Sequence, residues 1–586
     1  MKLIGQYINK YRRLFALGLG LKLLASVLEL LIPYVMEHII DTVALSGNLK
    51  MVVLWGCGMI ALALATWIIN LKANNTAIRM SSKATYDMRQ ALFQCTIGLS
   101  GDQFDDFSLP SLTSRMTSDS YNVQNFLRAV QTMGVRAPIM LVGGIIITLT
   151  MDVGLALILC VLAPIMIVII VTISRMGVPL YDKVQDRLDR IVRIMRENIT
   201  GIRVVKSLSK EDYEKKRYGE ANEDMTKADR KASIIMALPG PLMTLALNIG
   251  LTLVVIIGAK RVNAGLTEPG VILAFLTYFN MIMMGVMGLN RIFMMLSKAS
   301  ASADRISAVI EKPDGLRPIP AEEAPSAPSG DYIIFDDVTF GYGDDDDDDD
   351  DERFDGEERQ NSLNNISFSI PRGGSLGIIG ATGSGKTTII NLLMRFYDAD
   401  EGHVFVDGKD VRTYALDDLR RKFGVVFQND VVFAMSLADN ISFGRAMDSE
   451  GVAQAAREAQ AAEFIEEYED SYQHMSEIRG ANFSGGQKQR ILISRALASD
   501  PDILILDDAS SALDYRTDAE LRKAIRENHS SATSIIIAQR ISSIMSLDRI
   551  LMLDDGRILG YGTHEELLKT CPQYLEIYRT QMGGEQ

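Results

Sequence analysis

The segment GATGSGKTT, Gly380 to Thr388, matches the pattern G-x-x-x-x-G-K-[ST] in full. Its glycines Gly380, Gly383 and Gly385 let backbone N–H groups close around phosphate oxygens, where a Cβ would obstruct the loop. Lys386 then reaches the β- and γ-phosphates, and Thr387 offers a hydroxyl to Mg²⁺. Thr382, Ser384 and Thr388 complete the set of nucleotide-binding positions, and the helix that follows directs its positive end at the anion. SLGIIG, Ser375 to Gly380, reads as a buried strand entering the loop, and TIINLLMRF, Thr388 to Phe396, as the helix leaving it. The chain is expected to bind a nucleoside triphosphate.

Further groups with the right chemistry follow in order. FGVVFQNDVVF places Gln428 at a strand end, where its amide can touch Mg²⁺ and an attacking water. PDILILDDASSALD gives a run of buried aliphatics ending in Asp507 and Asp508. An acid emerging from such a strand beside a phosphate loop is the usual second Mg²⁺ anchor, a role that falls to Asp507. Between them lies NFSGGQKQR, in which Ser484, Gly485, Gly486 and Gln487 open a helix and form a second anion site. A single nucleotide needs only one. YIIFDDVTFGYG reads as a strand and turn that set Tyr342 to stack on a base.

The elements that carry these groups make up less than half of the chain. At 586 residues it is too long for one core, and its apolar residues crowd into long runs before about residue 300. Six stretches are long enough to span about 30 Å of hydrocarbon. They are Leu14 to Met36, Met51 to Leu71, Met133 to Met151, Val153 to Ile173, Ile235 to Gly258 and Val271 to Leu296. With the N-terminus inside, the tail and the loops near 72–132 and 175–234 hold about two dozen Lys and Arg, against Lys50, Lys260 and Arg261 outside. The N-terminal MKLIGQYINKYRRLF reads as a retained anchor, since no small-residue cleavage site follows its apolar run. Helical periodicity in the two inner loops predicts that the spans continue roughly 35–40 Å into the cytoplasm, with polar turns near Asp102 to Phe107 and Lys210 to Arg217 at the tips. Those turns are natural contact points for a cytoplasmic motor.

Glu29, Arg136 and Arg291 fall at membrane depth, where solvating a charge costs at least about 2–3 kcal/mol. Arg136 and Arg291 are expected to snorkel towards the inner interface. Glu29 is a candidate for a water-filled cavity that attracts cationic ligands. Met284 and Met287, in MIMMGVMGLNRIFMML, join it as candidates, because flexible thioethers suit promiscuous binding, although ordinary helix packing or lipid contact explains them too.

Glu311 to Gly330 is rich in Pro, Ala and Glu and reads as a linker. It divides a membrane part, 1–310, from a soluble part, 331–586. The formal net charge of −14 comes mostly from an acidic insert at 344–358, whose twelve acids face one arginine. Within it, Asp344 to Asp351 reads as a solvated insertion, with Mg²⁺ capture or a basic partner surface as the alternatives. Without that segment the chain is close to neutral, which excludes nucleic acid as a favoured partner. Cys57, Cys95, Cys160 and Cys571 show no metal spacing and indicate a reduced compartment for the soluble part.

The order of phosphate loop, Gln428, SGGQ, aliphatic-DD and SALD, fused behind six spans, resembles half of an ABC exporter over nearly the whole chain. RENITGIRVVKSLSKEDYE, Arg196 to Glu214, is similar to that family's second intracellular loop. The resemblance implies a membrane α-helical domain of six transmembrane helices with long intracellular extensions, fused to an α/β P-loop nucleotide-binding domain. It also implies a multi-pass protein of the plasma membrane, with a bacterial inner membrane expected and the nucleotide-binding domain cytoplasmic. Two halves would pair head to tail, with each ATP held between one chain's phosphate loop and the other's SGGQ. Tyr342 would stack on adenine, and Asp514 in SALD would communicate across the dimer.

Two catalytic positions depart from the family's pattern. Asp508 stands where Glu usually aligns the attacking water, and its side chain is one methylene shorter. Gln539 stands where His is usual, and an amide can donate one hydrogen bond but cannot carry charge or relay a proton. Ile478 also replaces a common Glu. The pattern implies a heterodimer with a second ABC half-transporter, in which this chain's own ATP and Mg²⁺ site binds well and hydrolyses poorly while its intact SGGQ completes the partner's site. The cargo class would be amphipathic drugs or lipids moved out across the bilayer. A homodimer with two slow sites, or a non-pumping regulatory subunit gated by ATP, are the alternatives.

Overall fold

A computed structural model of the chain describes residues 1–312, 315–343 and 361–582. The acidic insert 344–358, including Asp344 to Asp351, lies outside the described residues. Two compact units divide the chain. The first is Met1–Ile97 with Leu109–Glu311, and the second is Gly98–Ser108 with Lys312–Gln586.

The first unit holds six long apolar helical stretches, Arg12–Val43, Leu49–Ile97, Leu109–Met151, Val153–Thr200, Glu211–Asn263 and Pro269–Ile310. Val153–Thr200 has 48 residues, which at about 1.5 Å each makes roughly 70 Å, more than twice the hydrocarbon thickness. The spans therefore run on as helices beyond the membrane. Buried side chains hold their ends. Asp41, 6 % exposed, accepts from the backbone N–H of Gly270 (2.6 Å) and Val271 (3.1 Å), satisfying orphan donors at the start of the last helix. A Cβ on Gly270 would meet that carboxylate at 2.5 Å, so only glycine admits the cap.

Two expectations change here. Lys210 to Arg217 is not a turn, because the helix Glu211–Ala237 begins within it. Its first turn carries Glu211, Asp212 and Glu214, acids that favour a helix N-terminus. The tip is instead the short helix Ile202–Ser207 with Ser209 at φ 51°. Glu29 does not stand free for a cationic ligand, because Arg136 pairs with it. The Arg136 guanidinium donates to Glu29 at 2.7 Å, and pairing with a neighbour is how a bilayer-depth charge is usually tolerated. Lys22, which the sequence reading passed over, is 5 % exposed and donates to the side chains of Asn70 (2.6 Å) and Asn74 (3.3 Å). Arg291 is exposed on this unit. Met284 and Met287 stand on its surface at 59 % and 39 % exposure, while Gly285 and Gly288 bring their helix against Ala137.

The second unit is built on two sheets. A four-stranded antiparallel sheet contains Ile333–Phe340 between Leu363–Ile370 and Glu401–Val406. A six-stranded sheet runs, edge to edge, Arg557–Gly562, Arg549–Asp554, Ser375–Gly380, Thr533–Ile537, Ile503–Asp507 and Phe423–Val426. All its pairs but the first are parallel. The central strands read as unbroken aliphatic runs because helices cover both faces of such a sheet. In open sheets of this kind ligands bind at the carboxyl ends of the parallel strands, where Gly380, Asp507 and Ile537 all end. The segment Gly98–Ser108 belongs to this unit. Gly101 donates its N–H to the Phe396 carbonyl at 3.0 Å, and the Tyr397 hydroxyl donates to Asp105 at 2.6 Å. The expected contact point near Asp102 to Phe107 is thus occupied. Among the described residues 315–330 there is no helix or strand, and Ile319 N–H donates to the Arg412 carbonyl at 2.9 Å.

Candidate nucleotide site

The strand Ser375–Gly380 delivers the chain to the phosphate loop, and the helix Lys386–Leu393 leaves it. Gly385 sits at φ 94°, where a Cβ would also strike Leu363 at 2.5 Å and the Ser362 carbonyl at 2.7 Å. The Lys386 ammonium folds back over the loop, donating to the carbonyls of Gly380 (2.9 Å) and Ala381 (2.5 Å) and to the Ser384 hydroxyl (3.3 Å). Beyond it opens a cavity of about 630 Å³ lined by Tyr342, Lys386, Gln428, Asp507, Asp508 and Gln539 among others. Thr382, Gly383, Thr387 and Thr388 also line it. The residues expected to serve one nucleotide are therefore gathered from five separate segments.

Thr387 donates its hydroxyl to Asp507 at 3.3 Å, with Gln428 on the same cavity wall. Two neutral oxygens and one carboxylate suit a small hard cation that takes its remaining ligands from phosphates and water, so the donor set fits Mg²⁺. The cradle fits phosphate for a different reason. It offers a partly buried ammonium and a loop whose glycines a Cβ would block. Tyr342 lies at the rim, its hydroxyl donating to Thr388 (3.2 Å) and accepting from Asn391 (3.0 Å), with Phe340 and Tyr397 packed edge-on against its ring.

Burial pushes the carboxyl groups of Asp507 and Asp508 above the ordinary aspartate value, and it pushes the Lys386 ammonium below the ordinary lysine value. Phosphates bound beside Lys386 restore its charge. ATP binding is therefore expected to be accompanied by proton uptake that grows as the pH is raised into the alkaline range. Calorimetry in two buffers of different ionisation enthalpy measures this, and equal apparent enthalpies at alkaline pH would contradict it.

Asp508 adopts φ 51°, a conformation strained for a residue with a Cβ, as it turns out of its strand. Gln539 donates its side-chain amide to the Asp508 carboxylate at 3.1 Å. The two departures from the family's pattern therefore touch each other. Ser484 caps the helix Gly485–Leu497 in a capping box, accepting from the Gln487 N–H (3.3 Å) while the Gln487 side chain accepts from the Ser484 N–H (2.9 Å). Gly486 lies close to the Ala512 carbonyl, which a Cβ would meet at 3.1 Å. Ser484 to Gln487 do not line the phosphate-loop cavity, and Ser484 and Gly485 are exposed. Asp514 caps the helix Tyr515–Asn528 by accepting from the Thr517 N–H at 2.9 Å. Ile478 is 77 % exposed. Sequence reading missed Gln573, Ile577 and Gln581, which reach the cavity from a helix some 190 residues beyond the loop and carry no motif.

Comparison with known proteins agrees with this geometry. Residues 15–287 match the family model of the ABC transporter transmembrane region, and residues 363–511 match that of the ABC transporter. The chain is 34% identical over 580 residues to the uncharacterized ABC transporter ATP-binding protein YfiB of Bacillus subtilis, covering 99% of this chain and 98% of that protein. It is 30% identical over 576 residues to the multidrug efflux ATP-binding/permease protein Rv0194 of Mycobacterium tuberculosis, covering 97% of this chain but 46% of that longer protein. The solved structure of a bacterial Atm1-family ABC exporter with ATP bound superposes with a TM-score of 0.79 at 25% identity, covering 98% of this chain and 99% of that one. The chain belongs to the ABC transporter family, as an exporter-type half-transporter that joins six membrane helices to a cytoplasmic ATP-binding domain.

Proposed function

We propose that this chain is the degenerate-site subunit of a heterodimeric ATP-driven exporter. Its own phosphate loop would hold ATP, with Mg²⁺ on Thr387, Gln428 and Asp507, and turn it over slowly. Tyr342 would stack on the adenine. Ser484 to Gln487 would complete a partner's faster site, and Asp514 would relay its state across the dimer. The observation that carries this reading is the Asp508–Gln539 pair. The carboxylate is one methylene short of the usual glutamate, and the amide beside it can hold that carboxylate but cannot move a proton. A displacement of about 1–1.5 Å at an attacking water costs on the order of 10²-fold in rate.

Amphipathic drugs or lipids are the cargo class most consistent with the apolar membrane unit and with the multidrug efflux relative. Because Glu29 is paired with Arg136, a preference for cations has no support from that residue. The test is to purify the chain alone and with a candidate partner half-transporter from its source, then to measure ATPase and hydrolysis-dependent uptake into vesicles. Turnover and uptake are expected only from the pair. Robust ATPase from this chain alone would replace the heterodimer with a homodimer, and turnover without uptake would favour a regulatory subunit.

A further inference from the structure

The helix Pro572–Met582 ends against the turn that follows the strand Thr533–Ile537. Tyr574, fully buried, and Ile577 seat the helix in an apolar cluster with Ala538, Ile541 and Ile544. One helical turn beyond Ile577, on the same face, the side chain of Gln581 meets the backbone of the turn at two points. Its amide donates to the Gln539 carbonyl at 2.8 Å, and its oxygen accepts from the Ile541 N–H at 2.7 Å. Gln573, Ile577 and Gln581, spaced four residues apart, form one stripe along the wall of the nucleotide cavity.

A single amide that binds a carbonyl and an N–H two residues apart fixes the peptide planes on both sides of Arg540. That in turn sets the direction of the Gln539 side chain, whose own amide donates to the Asp508 carboxylate at 3.1 Å. We propose that Gln581 is a positioning residue for the chain's own ATP site, acting through Gln539 to hold the Asp508 carboxylate towards the attacking water. Gln581 does not touch the reacting atoms. This proposal rests on the reading that the cavity holds ATP.

The experiment uses the full-length transporter in detergent or nanodiscs, in excess over Mg-ATP and with any partner's phosphate loop disabled by substitution, so that equilibrium ATP binding and single-turnover hydrolysis are recorded separately at this chain's own site. Gln581→Leu removes both hydrogen bonds at nearly constant volume. Hydrolysis is expected to slow by about tenfold, with ATP affinity within about twofold of the parent. Gln581→Glu supplies a readout that a purely structural role would not move. Ionised, the carboxylate can only accept, and it faces the Gln539 carbonyl. Protonated, it regains one donor and one acceptor. Its defect relative to the parent at the same pH is therefore expected to shrink from about tenfold near neutrality to about twofold in mild acid, while Gln581→Leu shows no such recovery. Arg579→Ala, exposed on another face of the helix, is expected to match the parent.

If Lys386→Ala leaves ATP binding at this chain's own site intact, with the partner's phosphate loop disabled, the reading of the cavity itself fails. If Lys386→Ala abolishes binding but Gln581→Leu hydrolyses at the parental rate, the cavity reading stands and the positioning role is overturned. A Gln581→Leu variant that loses binding and hydrolysis together, or a Gln581→Glu defect that does not depend on pH, also overturns it.

Discussion

Asp508→Glu combined with Gln539→His is expected to raise hydrolysis at this chain's own site by about 10²-fold, measured by single turnover of bound Mg-ATP. The longer side chain carries the carboxylate forward to the attacking water, and the imidazole brings charge and a transferable proton to the γ-phosphate. Both changes are needed, because the present residues are hydrogen-bonded to each other. Asp508→Glu alone drives its carboxylate against the Gln539 amide, and Gln539→His alone leaves the carboxylate short. Residues in direct contact couple, so the double variant is expected to exceed the product of the single effects. An unchanged rate in the double variant would mean that the slow step lies elsewhere in the site, and the degenerate-site reading would fall.

The other large effect is expected at the helix opening Ser484 to Gln487. Gly486→Asp places a carboxylate at a helix N-terminus that is proposed to face a partner's γ-phosphate, and it crowds the Ala512 carbonyl. Steady-state ATPase of the paired transporter is expected to fall by about 10²-fold or more, while ATP binding at this chain's phosphate loop persists. Lys386→Ala is the counterpart. It should remove binding at the chain's own loop and spare most of the steady-state turnover if, as proposed, the fast site belongs to a partner. A homodimer would lose turnover with either variant. The contrast between the two therefore reports the asymmetry directly.

Much of this molecule was legible along the chain because its decisive features are contiguous. The loop Gly380 to Thr388, the SGGQ turn and the aliphatic run into Asp507 and Asp508 each lie within a dozen residues. Each owes its local structure to forces of short range: glycine's tolerance of positive φ, a serine cap, and side chains buried between layers. The six spans are legible for a similar reason, since a bilayer demands an uninterrupted apolar stretch whatever the tertiary fold. Lys210 to Arg217 was misread because it was judged by polarity, which a solvated helix and a turn share.

Pairings between distant segments were decided only when the chain packed. Glu29 and Arg136 are 107 positions apart, and no periodicity announces that one answers the other. Lys22, inside the first span, drew no comment from its sequence context, and only the packing shows that Asn70 and Asn74 accept its hydrogen bonds. Asp508 and Gln539 could be recognised separately as departures from a pattern, but that they share a hydrogen bond depends on two parallel strands lying side by side. Gln581 is the extreme case, an ordinary residue in an unremarkable helix that meets the site only because Tyr574 anchors that helix in the core. The sequence by itself determined that the chain spans a membrane and binds ATP, because those properties follow from composition and local backbone geometry. Which side chains hold the Asp508 carboxylate in place was left to the tertiary structure, because a hydrogen bond of about 3 Å depends on the packing of the whole unit.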